Sequence, residues 1–164
     1  MEIERKWLVC PGRIPYDLPA LRSYTIEQAY ISFYPTIRIR KINNGEKHIL
    51  TVKTHPEGMK HAGLQREETE LPLSAHEYNA LMKRVCGTVI RKTRYLHEIS
   101  EGLTEEIDIF HGALEGLAFV EIEFPDTESA LKYPDPVWAE RDVTFDNRYK
   151  NSSLAENGLT EAGN

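Results

Sequence analysis

Ile3, Arg5 and Trp7 alternate with Glu2, Glu4 and Lys6, and this period of two predicts a strand at the start of the chain. Residues 11–22 carry three prolines and read as a loop or short helix. Residues 24–33 are β-branched and aromatic-rich, and residues 36–42 alternate again, so both predict strands. Asn43-Asn44-Gly45 is a hairpin turn signal, with residues 47–54 as the returning strand. Residues 55–63 form a loop, and the Glu-rich run 64–71 is a further strand of weak propensity. Ser74 followed by Glu77 makes a capping box for a helix over Ala75 to Cys86, with Leu81, Met82 and Val85 as its apolar stripe and Gly87 as its stop. Residues 88–99, 105–110 and 118–124 return to β-character. Asp126 opens a short helix through Lys132, and 147–155 predicts a last one. One domain over residues 1–155 follows, α+β and dominated by antiparallel strands, with a polar, disordered tail at 156–164.

Side chains two apart share a face of a strand. Glu2, Glu4 and Lys6 do so, as do Arg38 and Arg40, Thr51 and Lys53, and Arg66, Glu68 and Glu70. Lys92 and Arg94, Glu106 and Asp108, and Glu121 and Glu123 complete the set. The opposite faces are largely apolar, as with Ile37 and Ile39, Leu50 and Val52, Ile107 and Ile109, and Val120, Ile122 and Phe124. Any one such strand is ordinary amphipathic β-structure with a wet face. The set is less ordinary, because like charges stack along single faces where a soluble surface intersperses signs.

The 164 residues suit one domain, and 40% hydrophobic with 28% charged residues is a usual globular balance. A net charge of -6 argues against a nucleic-acid binder that works by bulk positive charge, though not against a small anionic ligand. Cys10 and Cys86 lack metal spacing and read as reduced thiols. No apolar run approaches roughly 18 residues, and the charged start has no signal core, so a cytoplasmic protein without membrane partner is expected. The six histidines lack metal spacing, Trp7 and Trp138 read as packing residues, and no Gly-x-Ser-x-Gly elbow, Walker A or GxGxxG motif occurs.

Stacked carboxylates suit a hard divalent cation such as Mg²⁺ or Mn²⁺. Stacked Arg and Lys suit a polyanion, and phosphate matches the guanidinium fork. A face holding both at once has the chemistry of metal-bridged phosphoryl transfer. Periodicity leaves open whether that face lies outside a sheet or inside a barrel.

An ordered series of motifs resembles one family. Glu2-Ile3-Glu4-Arg5-Lys6 resembles the ExExK signature that opens CYTH domains, or triphosphate tunnel metalloenzymes. Gln28-Ala29-Tyr30-Ile31 is similar to its QGYL, Arg38-Ile39-Arg40 to its RxR strand, and Leu50-Thr51-Val52-Lys53 to its LTxK strand. Gly63 to Glu68 resembles GLxRxE, Lys92-Thr93-Arg94-Tyr95 resembles KTRY, and Glu106 to Phe110 resembles ExDxF. Val120 to Phe124 resembles VEIEF, and Arg148-Tyr149-Lys150-Asn151 resembles the terminal RYKN run, so the likeness covers residues 2 to about 155.

The resemblance implies an eight-stranded antiparallel closed barrel whose charged faces line a tunnel, with flanking helices and a C-terminal plug helix. It implies hydrolysis of inorganic triphosphate with Mg²⁺ or Mn²⁺, in a monomer or homodimer. By the same resemblance Glu2 and Glu4 hold metal with Glu121 and Glu123, and Glu106 and Asp108 complete the metal set. Lys6, Arg38, Arg40, Lys53, Arg66, Lys92 and Arg94 grip the substrate, with Lys150 at the plugged mouth. Glu68 and Glu70 are implied to orient the attacking water, and Lys6 and Tyr30 to form a contacting catalytic pair. Relatives of this type also hydrolyse nucleoside or thiamine triphosphates or cyclise ATP. The motif opens at residue 2, which argues against the cyclase. A non-catalytic polyphosphate or nucleotide binder gains nothing from so many carboxylates. The chain departs from the pattern at Ala29, in the long 55–62 loop with His55 and His61, and in Trp138 to Asp142, which lacks a glycine.

Overall fold

The structure is a computed structural model that describes residues 2–55, 65–100 and 102–158. Its strands are β1 (Glu2–Leu8), β2 (Arg22–Phe33), β3 (Thr36–Ile42), β4 (Lys47–Thr54), β5 (Gln65–Pro72), β6 (Cys86–Ser100), β7 (Leu103–His111), β8 (Ala118–Glu123) and the short β9 (Arg141–Asp142). The helices are α1 (Ala75–Met82), α2 (Thr127–Lys132) and α3 (Asn151–Asn157), with 3-10 turns at Pro11–Arg13, Leu18–Ala20, Gly112–Leu114 and Asn147–Tyr149.

The strands run in the order β5-β4-β3-β2-β6-β7-β8-β1-β9, and β5 also pairs with β1. That last pairing, with Glu2 opposite Arg66, closes β1 to β8 into an antiparallel barrel. Closure removes the sheet edges and gives the chain an inside. Local chemistry sets the connections. Asn43 and Asn44 take φ of 48° and 57°, the left-handed conformation that a tight β3–β4 hairpin demands and that asparagine tolerates. At α1, Ser74 accepts from the Glu77 N–H while the Glu77 side chain accepts from the Ser74 N–H, completing the predicted capping box.

The apolar faces point outward and are covered. Trp7, Val120 and Ile122 pack with Ala130 of α2 and Trp138, while Ala29 and Ile39 pack under Tyr78 of α1. Arg5 sits buried on this otherwise apolar outer face. Its guanidinium donates to the Ala130 and Tyr133 carbonyls at 3.0 and 2.6 Å, at the C-terminal end of α2, and to Asp135 at 2.8 Å and Asp142. A cation there satisfies the last helix carbonyls and ties β1 to the segment after α2. A third cluster fills one end of the barrel, where Phe110, Phe119 and Ile90 meet Tyr149, Leu154 and Ala155.

Three expectations change. The α1 helix stops at Met82, short of Cys86, because Cys86 already pairs with Tyr30 in the sheet. Gly87 is therefore a strand residue, at φ 69°, where a Cβ would meet the Ala155 carbonyl oxygen at 2.4 Å. Its small size lets α3 lie against β6. The third change is at the C-terminus, where α3 runs through Asn157, so residues 156 and 157 are helical and not tail. Residues 159–164 lie outside the described residues, as does most of the predicted 55–63 loop, including His61. The two-residue β9, pairing Asp142 with Trp7, is too short to show a period. Cys10 and Cys86 are free thiols, as expected. Among the described residues no helix is long and apolar enough to cross a membrane.

Candidate active site

The inward faces of the strands enclose a cavity of about 250 Å³. Among the described residues, seven bases line it (Lys6, Arg38, Arg40, Lys53, Arg66, Arg94, Lys150), and so do seven carboxylates (Glu2, Glu4, Glu68, Glu70, Glu106, Glu121, Glu123). The ionic faces expected to share a wall thus converge on one enclosed space.

Strand order sorts them by sign. Going round the barrel, β7, β8, β1 and β5 are neighbours and carry all seven cavity carboxylates. The neighbours β4 and β3 carry Lys53, Arg38 and Arg40, and β6 adds Arg94. An acidic arc thus faces a basic arc across the lumen. Two cations break the acidic arc, Arg66 and Lys6. Arg66 donates to Glu2 at 2.9 Å and Glu4 at 2.7 Å. Burial alone would lower the Arg66 guanidinium, but Glu4 and Glu2 outweigh it and hold it above its ordinary value.

Across the seam Lys53 Nζ donates to Glu2 at 2.9 Å and stands 3.3 Å from Glu68. Arg40 donates to Glu70 at 3.1 Å; burial first, then Arg38 and Arg94, push its guanidinium down to about 10. Bases this crowded favour a bound anion. At the floor Lys6 Nζ donates to the Tyr149 carbonyl at 2.7 Å, lies 4.1 Å from the centre of the Phe119 ring and stands 3.6 Å from Glu121. Tyr30 lines the same cavity, but its hydroxyl accepts from Gln28 at 3.1 Å. No hydrogen bond joins Lys6 to Tyr30 among the described residues, the Lys6 ammonium donating to the Tyr149 carbonyl.

Lys92 and Asp108 do not reach the cavity lining. Both are buried beneath it, joined at 2.6 Å between Nζ and Oδ2. Asp108 also accepts from Arg94 Nε at 2.7 Å and Nη2 at 2.8 Å. Burial would raise its carboxyl, yet Arg94 and Lys92 hold it well below the usual range. Burial pushes the Lys92 ammonium down to about 8, against Asp108. Lys150 lies on the lining beside Asn151 and Ser152, where burial first, then Arg66, lowers its ammonium. Tyr24, Thr36, Val143 and Thr144 line the cavity without having been singled out from the sequence. Thr144 belongs to an irregular segment, and its hydroxyl accepts from the Lys6 N–H at 3.0 Å. No period marks such a residue in the sequence.

The acidic arc fits a divalent cation by its donor chemistry, which is carboxylate oxygen throughout. Glu121 Oε1 is buried with no hydrogen-bond donor among the described residues. The Glu123 carboxyl is pushed up by burial, then by Glu2, Glu4 and Glu68, a repulsion that a cation would relieve. Glu106 is pushed up to about 7, mainly by burial, against Arg94. Among the described residues no three side chains form a ready-made metal cage.

Fold and site together define a closed antiparallel barrel built to hold charged ligands in its lumen. The chain belongs to the CYTH domain family, whose model matches residues 1–133. It is 34% identical over 156 residues to an inorganic triphosphatase of Nitrosomonas europaea, covering 94% of this chain and 96% of that one. It is 38% identical over 159 residues to an inorganic triphosphatase of Acetivibrio thermocellus, covering 95% and 94%. A crystal structure of an inorganic triphosphatase superposes with a TM-score of 0.65 at 30% identity, covering 94% of each chain.

Proposed function

We propose that this chain hydrolyses inorganic triphosphate to diphosphate and phosphate inside its barrel, with a divalent cation, Mg²⁺ or Mn²⁺. The observation that carries this reading is the enclosed lumen with seven bases and seven carboxylates in opposed arcs. A polyanion satisfies one arc, a cation the other, and the two meet where phosphoryl transfer needs both charges offset. The inorganic triphosphatases to which the chain is similar over nearly its whole length support the choice of substrate.

Glu2, Glu4, Glu121 and Glu123, with Glu106, would hold the cation, which when bound neutralises phosphate oxygens and the leaving diphosphate. Arg38, Arg40 and Lys53 grip the triphosphate from the opposite wall, with Arg66, Arg94 and Lys150 closing round it. Lys6, fixed over Phe119 and against Tyr149, presents an N–H from the floor. Glu68 and Glu70 would orient the attacking water, and the Tyr30 hydroxyl would serve as a neutral donor, its pKa raised by burial against Arg38. The barrel supplies mostly position and field.

Phosphate release tests this, from inorganic triphosphate, ATP and thiamine triphosphate, each with Mg²⁺, Mn²⁺ or chelator. Turnover is expected with inorganic triphosphate and a divalent cation, and none with chelator. Faster release from ATP or thiamine triphosphate would move the substrate. Undiminished turnover in chelator would remove the metal.

A further inference from the structure

We infer that Asp108 is a positioning residue for Arg94, and that Lys92, Asp108 and Arg94 form a buried triad that sets the direction and charge of the Arg94 grip on substrate. The inference rests on the reading of triphosphate as the ligand of this cavity. It assigns Asp108 and Lys92 a role other than metal or substrate contact.

Asp108 is fully buried and Lys92 is 2% exposed, and neither reaches the cavity. Asp108 spends both oxygens inside the wall, Oδ1 on Arg94 Nε at 2.7 Å, Oδ2 on Arg94 Nη2 at 2.8 Å and on Lys92 Nζ at 2.6 Å. Asp108 is not part of the cavity lining. The paired donation fixes the guanidinium plane as a fork-to-fork contact does. Arg94 Nη1 then stands 2.6 Å from Glu106, and Nη2 stands 3.8 Å from Glu121. Arg94 thus projects from the basic arc to the edge of the acidic one, with one N–H on each Nη still available to a phosphate oxygen.

Charge counting explains Lys92. With Asp108 alone, Arg94 would be neutralised and would present little field to an anion. With Lys92 the triad carries one net positive charge, and Arg94, the one member on the lining, presents it. Burying three charges is costly, so the arrangement makes weak sense as a device for stability alone.

The test is calorimetric binding of tripolyphosphate in chelator, followed by steady-state kinetics at saturating metal. Asp108→Asn should weaken metal-free binding by at least roughly tenfold and raise KM more than it lowers kcat. Lys92→Met/Asp108→Asn keeps the net charge, guards against a variant that fails to fold, and should still bind more weakly than wild type. In an Arg94→Met background, Asp108→Asn should cost nothing further. Wild-type binding by Asp108→Asn and by the charge-balanced pair, or a loss undiminished without Arg94, would overturn the inference. Unchanged binding in chelator with a raised metal requirement would make Asp108 a metal residue. Wild-type protein that binds tripolyphosphate but releases no phosphate with either Mg²⁺ or Mn²⁺ would sink the hydrolase reading and leave the triad standing. Wild-type protein that fails to bind it would remove both.

Discussion

Arg66 donates to Glu4 across the seam that closes the barrel, at 2.7 Å. A guanidinium thus occupies carboxylate oxygens on the arc that suits a divalent cation. Metal and Arg66 compete for Glu2 and Glu4, and a bound triphosphate gives Arg66 another partner. Arg66→Gln should therefore bind Mn²⁺ more tightly in the absence of substrate, by roughly threefold to tenfold, while raising KM for triphosphate. Metal titration by calorimetry, set beside initial rates, checks both directions. Weaker metal binding in the variant would show that Arg66 organises the carboxylates and does not block them.

Glu4→Gln removes one charge from the arc while keeping shape and one acceptor oxygen for Arg66. Metal-dependent turnover should fall by about a hundredfold or more, as loss of a metal-binding charge commonly does, with the thermal midpoint changed by only a few degrees. Full activity in this variant would take Glu4 out of the site.

Glu106 links the site to pH. Its folded carboxyl is raised to about 7 from 4.5, so the folded state holds a proton that the unfolded state releases. Below about pH 4.5 both states are protonated and there is no penalty; from there to pH 7 stability falls, and above pH 7 the loss is complete. The full loss is on the order of 3 kcal/mol. Glu106→Gln, neutral throughout, should melt higher than wild type at pH 8 without metal and lose that advantage at pH 4.5. An advantage of equal size at both pH values would point to packing and not to charge.

At Gly87 the constraint is steric. Any Cβ there meets the Ala155 carbonyl at 2.4 Å, on a backbone of φ 69° that side chains rarely adopt. Gly87→Ala should cost about 1–3 kcal/mol and lift α3 from β6. Faster hydrogen exchange over 151–157, with the α1 region unchanged, would report the local nature of the loss.

Much of this molecule is legible from period and punctuation. The alternation of 36–42 and 47–54 matches β3 and β4 to the residue, because a hairpin with Asn43-Asn44 at its turn is a local object. The Ser74/Glu77 cap is local too, but the end of α1 is not. Helix and strand compete for residues 83–86, and the pairing of Cys86 with Tyr30, far away in sequence, decides it. Gly87 looks like a helix stop until α3 is seen against it. The same limit holds in the site. Lys92 and Asp108 share the period of Arg94 and Glu106, and only depth along the barrel separates buried props from cavity residues.

Which side chains share a face can be read along the chain, since alternation in an extended segment follows from backbone geometry alone. The stacking of like signs along the charged faces is read the same way. Long-range pairing turned those faces inward, set the acidic strands β7, β8, β1 and β5 side by side, and laid Arg66 against Glu2 and Glu4. The reason is closure. Strand order and shear are settled by pairings between residues as distant as Glu2 and Arg66, and no local period encodes which strand will be whose neighbour.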